Sequence, residues 1–207
     1  MKAVWTRDDI VEIEYDTIEE MLEATYRFSH YHEYPEWREK IFTKVDLDKH
    51  YEDTKGDPTW WKTKWGGANL RDLDIQPFLD GKYGELDETE QMIVDLVKDK
   101  EGPYGIAMYA TKTKYVRDHE VAHSLFYLDS DYRHKCKCLI EFHRPELKNL
   151  EEKLSPMYDG ENMVDELHAY SGVFYSYWAH PQKLIVPKTM RKELVKLFKK
   201  HSKKGLL

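Results

Sequence analysis

The chain has 207 residues, enough for one domain with a real core. Hydrophobic residues make up 41% and charged residues 34%, which excludes a disordered chain, and no apolar run reaches the roughly 18 residues of a membrane span. The net charge of −7 is uneven: residues 183–207 hold nine Lys/Arg and one Glu, so the remainder carries −15.

A basic tail on an acidic body can contact nucleic acid or dock on the body itself. Apart from Phe198 the tail has no aromatic to stack a base, which favours docking. Met1–Asp9 turns acidic too early for a signal-peptide core, so a cytoplasmic protein is expected. Cys136 and Cys138, one residue apart, suit neither a disulfide loop nor the usual metal-binding pair, and read as reduced thiols on a helix.

In chain order, Val4-Trp5 and Ile10–Tyr15 read as strands, the second with a period of two. Asp16, with Glu19 three residues on, predicts a helix start. Ile18, Met21, Leu22, Thr25 and Phe28 make its inner face, and its end falls near His30-Tyr31, before Pro35. Residues 43–85 predict turns and short elements, with Trp60, Trp61 and Trp65 as core anchors or a ligand platform. Asp87 and Glu90 box the start of a helix whose face is Met92, Ile93, Leu96 and Val97.

Tyr104–Ala110 reads as a buried strand and Tyr115–Leu128 as a helix. Further helices are expected from Ser130 to Phe142, after Pro145, and from Glu161 to Phe174. A strand is expected at Lys183–Val186, then a last helix opened by Pro187. His30, His32, His50, His143 and His180 read as surface or aromatic-packing residues. The class is α+β in one domain. Residues 1–103 have no assigned role, 104–182 form the site-bearing core and 183–207 the basic helix.

Residues 119–123 read His-Glu-Val-Ala-His. Positions four apart share a helix face, so His119 and His123 point two imidazoles one way, at a spacing that suits Zn²⁺. Glu120 can reach a metal-bound water. A catalytic zinc needs a third protein ligand. An HExxHxxGxxH continuation would need Gly and His where the chain has Phe126 and Asp129. A later helix supplies Glu166, on one face with Met163 and Tyr170, while Val164, Leu167 and Ser171 make that helix largely buried. A buried carboxylate there needs a partner: a metal, or Arg117 or Arg133. Two further alternatives stay open. The histidines could simply be buried and hydrogen-bonded, or the zinc could be structural.

HExxH followed by Glu166 in a later helix resembles the zincin metallopeptidases of the gluzincin branch, over about residues 104–175. The resemblance implies a zincin-like α+β fold, a small mixed sheet packed on the HExxH helix with a mostly helical C-terminal half. It implies zinc held by His119, His123 and Glu166, and Glu120 as general base and proton shuttle. It also implies a Tyr or His at the oxyanion. Tyr170, His168, Tyr175 and Tyr177 are candidates among which the sequence does not choose, and Tyr170 is the working assignment. The strand YGIAMYA stands where the family places its edge strand, implying a peptide or protein substrate paired antiparallel with residues 104–110. Asp165 is better placed than Asp118 to orient a ligand histidine. The expected function is a zinc metallopeptidase. The alternative is a non-catalytic protein of the same fold that contacts nucleic acid through its tail.

Overall fold

A computed structural model describes residues 1–38, 40–63, 66–111, 113–158, 160–176 and 182–203. Strands β1 (Lys2–Arg7), β2 (Ile10–Tyr15), β3 (Gly67–Arg71) and β4 (Gly105–Ala110) form one four-stranded sheet in the order β1-β2-β4-β3. β2 and β4 are parallel, and the outer pairings are antiparallel. The helices are α1 (Ile18–Glu33), α2 (Pro35–Arg38), α3 (Lys44–Lys55), α4 (Asp72–Leu79), α5 (Glu88–Val97), α6 (Lys114–Leu128), α7 (Ser130–His143), α8 (Lys148–Leu154), α9 (Gly160–Ser171) and α10 (Lys188–His201). The class is therefore mixed α and β, mostly helical.

The period of two in β2 sorts its side chains between two cores. Val11, Ile13 and Tyr15 join Ile106 and Met108 in a core with α1 and α5, while Ile10 and Ala107 join Val121, Ala122 and Leu125 of α6 in the other. Each fully buried aliphatic or aromatic side chain contributes roughly 1.5–3 kcal/mol. Small residues let α6 lie close on the sheet. A Cβ at Gly105 would stand 2.7 Å from Ser124 Oγ. Glu12, buried on this α6 side, is held by Arg117 Nε at 2.5 Å.

Several expectations shift. The α1 cap is Thr17, whose Oγ1 accepts from Glu20 N at 3.1 Å, one residue after Asp16. The helix continues to Glu33, stopping only at the extended Tyr34 before Pro35. Ile18 and Met92 are exposed rather than inward, and Val94 is buried in their stead. The α5 capping box of Asp87 and Glu90 forms. Trp61 is buried and stacks on Tyr26, and Trp60 stacks on Tyr51, which makes both core anchors. Trp65 and His180 lie outside the described residues.

His30 is wholly buried, bonded to Tyr26 O and Tyr51 Oη at 2.7 Å each. Cys136 is buried and Cys138 exposed, both on α7. No strand forms at 183–186, where the chain runs unpaired into Pro187, the cap of α10. α10 buries Met190, Leu194, Phe198 and His201, so the basic segment docks on the body through its apolar stripe.

The largest correction concerns residues 104–110. β4 lies inside the sheet, paired on both sides by β2 and β3, so it offers no edge to a peptide. The edge beside α6 belongs to β3. No helix among the described residues is long and apolar enough to cross a membrane.

Candidate metal centre

α6 places His119 and His123 one turn apart with their rings perpendicular, and brings His119 Nε2 within 3.0 Å of His123 Nε2. α9 packs against α6 and delivers Glu166, whose Oε2 lies 3.8 Å from His119 Nε2 and 3.7 Å from His123 Nε2. A tetrahedral zinc with arms of about 2.0–2.1 Å sets its ligand atoms about 3.3 Å apart, so this triangle fits one ion. Donor chemistry agrees, because two imidazoles and a carboxylate are zinc ligands. Glu166 Oε2 and His119 Nδ1 are buried without a hydrogen-bond partner, the state a bound cation would relieve for the carboxylate.

Asp165, beside Glu166, accepts from His123 Nδ1 at 2.9 Å. A carboxylate carries no proton to give, so Nδ1 holds a ring proton and Nε2 is the nitrogen that faces the triangle. His168 Nδ1 lies 3.2 Å from the same Asp165 oxygen and also bonds Asp165 O, with its ring stacked on Phe126. The arginine alternatives are engaged elsewhere: Arg117 binds Glu12 and Asp118, and Arg133 binds the carbonyls of Phe126 and Tyr127. Asp129 is likewise committed. It caps α7 by accepting from Asp131 N and Tyr132 N, and its Oδ2 meets His201 Nδ1 at 2.8 Å.

Glu120 stands next to the triangle, 7% exposed, with His119 at 8% and His123 at 9%, so this is a buried site. Burial pushes the Glu120 carboxyl up to about 8. Burial does the same to Glu166, again to about 8, against the opposing pull of His123. Burial holds His119 low, as the neutral form. For His123, burial is outweighed by Asp165 and Glu166, which lift it to about 10. The two raised carboxyls are the groups that a divalent cation bound at the triangle would hold ionised.

The surrounding cavity is about 500 Å³. Gly66, Gly67, Ala68 and Asn69 run along it, so the sheet edge beside the triangle is β3. A Cβ on Gly67 would stand 2.5 Å from both Glu120 Oε1 and Val116 Cγ1, so a larger residue there would push the two side chains aside. Asn69 Nδ2 donates to Glu120 O at 3.0 Å and to Ser124 Oγ at 2.5 Å, tying the edge strand to the motif helix.

Tyr170 lines the cavity with its ring 4.9 Å from that of His119, and burial raises its hydroxyl pKa. Tyr175 packs on Arg191, 4.4 Å from its ring centroid, and is not part of the lining. Tyr177 lies outside the described residues. Sequence reasoning missed Tyr158, Asn162 and His32, all on the cavity wall. Tyr158 and Asn162 precede Glu166 on its own stretch of chain, but no spacing rule marks them.

Compared with family models, curated proteins and solved structures, the chain matches none.

Proposed function

We propose that the chain is a zinc-dependent hydrolase, a zincin-type metallopeptidase that cleaves a peptide or related amide bond. One observation carries this reading. His119, His123 and Glu166 bring their ligand atoms within 4.8 Å of one another, beside the buried Glu120, in a cavity walled by the edge strand β3. When bound, zinc would lower the pKa of water toward 7 and polarise a carbonyl.

The remaining chemistry belongs to the chain. Glu120, which a cation at the triangle would hold ionised, would accept the proton of the attacking water and pass it to the leaving amine. Asp165 fixes the His123 ring in the ligating tautomer. Tyr170 is the donor we assign to the oxyanion. β3, paired only with β4 among the described residues, would offer main-chain groups to an extended substrate. The same three donors would also hold ferrous iron, and Glu120 beside them is what favours hydrolysis by zinc.

The nucleic-acid alternative draws less support, since α10 buries its apolar stripe against α7 and α9. Metal analysis of the purified chain and of His119→Ala tests the proposal. We expect about one zinc per chain, lost in the variant. Equal, negligible zinc in both would overturn it.

A further inference from the structure

We propose that the cavity takes a substrate bearing a carboxylate close to the scissile bond, held by Arg38 and Arg133. This rests on the hydrolase reading and names its substrate class. Three arginines, Arg38, Arg71 and Arg133, share the cavity wall with the metal triangle. Arg71 is neutralised by Asp74, at 2.9 Å and 3.0 Å. The other two are not. Arg38 donates to Tyr31 O at 2.9 Å and to His32 O, the last carbonyls of α1. Arg133 Nη1 donates to Phe126 O at 2.7 Å and Tyr127 O at 2.6 Å, the last carbonyls of α6. Among the described residues neither guanidinium meets a carboxylate.

Helix capping explains why each guanidinium is held, not why its charge faces a cavity. A helix C-terminus offers only about half a negative charge. A guanidinium has five N–H donors, and these bonds leave several unused on each. The planar fork matches a carboxylate edge-on. Among the described lining residues, with Arg71 set aside as answered by Asp74, three Lys/Arg stand against four Asp/Glu, so a divalent cation at the triangle takes their sum from −1 to +1. A neutral peptide would leave that charge unanswered. A carboxylate answers it without crowding the acids around the metal, and a phosphate shares the chemistry.

The test is calorimetric titration of the zinc-loaded full chain with three probes: succinic monohydroxamate, uncharged butanohydroxamate and 3-phosphonopropanohydroxamate. We expect the carboxylate probe to bind about tenfold tighter than the uncharged one, as for one half-buried charge-assisted bond. In Arg38→Gln and Arg133→Gln that ratio falls toward one, and in Arg133→Lys, which keeps the charge, part of it survives. If Arg133→Gln does not fold for want of its α6 caps, Arg38→Gln carries the comparison. Equal binding of charged and uncharged probes overturns the subsite and leaves the metal reading standing. Tighter binding of the phosphonate than the carboxylate overturns the choice of carboxylate. If the chain holds no zinc and no hydroxamate binds, the metal reading fails. Succinate titrated onto the metal-free chain then decides the subsite: binding that needs Arg38 supports it, and no binding overturns it.

Discussion

Glu120 does two things that a glutamine would do unequally. Its shape fills the space opposite Gly67, and on the proposed reading its charge takes a proton. Glu120→Gln should therefore keep its zinc and lose hydrolysis by about 10²–10⁴-fold, and undiminished turnover would remove Glu120 from the mechanism. Asp165 acts one bond further out, through His123 Nδ1 at 2.9 Å. We expect Asp165→Asn to weaken zinc binding by about 10–100-fold, read by competition with a chromogenic chelator; unchanged affinity would make Asp165 a bystander. At this scale the sequence was informative where chemistry is local. Two histidines on one helix face, with a glutamate next to the first, are visible as a spacing. Gly67 is not, because its importance lies in a contact across 53 positions of chain, and no pattern near Gly67 announces it.

The strand β4 shows where reading by element runs out. Its apolar run is what a strand paired on both sides looks like, and equally what a strand beneath a buried helix looks like. Composition cannot separate the two, whereas the β3 pairing can, and β3 (Gly-Ala-Asn-Leu-Arg) has too little apolar alternation to stand out. Helices with caps were easier: the α5 box was legible to the residue. The seam between α1 and α3 yields a pH prediction. Burial lowers His30 to about 4, against an ordinary 6.5, with its ring bonded between Tyr26 O and Tyr51 Oη. A base depressed in the folded state binds fewer protons there than when unfolded. Stability is then lost as pH falls from 6.5 toward 4, by up to about 3 kcal/mol for this group. Thermal melts at pH 7 and pH 4.5 check it: His30→Gln should show a smaller acid-induced fall than wild type, and an equal fall would exonerate His30.

For the molecule as a whole, the metal should act as a brace between α6 and α9. A ligand that binds only the folded state at about a thousand times its dissociation constant adds about 4 kcal/mol. For a chain of this size that is a rise in Tm of about 8–16 °C, reversed by a chelator, and coincident melts with and without chelator would contradict it. The division of labour between the halves, one core per sheet face, follows from the alternation within β2 and could be read from the sequence only once β2 was known to be central. The docked α10 bears on synthesis. Asp129 ends the motif helix and grips His201, while Arg7 in the first strand donates to the carbonyl of that same His201 at 3.0 Å. A growing chain that has just released His119 and Glu120 from the ribosome lacks this clasp, and at roughly 5–20 residues per second several seconds pass before position 201 emerges. Until position 166 emerges the motif helix has no Glu166 beside it, and until position 201 it has no α10 clasp, so on the proposed reading a nascent chain would lack a complete, clasped metal site until nearly all of the described sequence has been made.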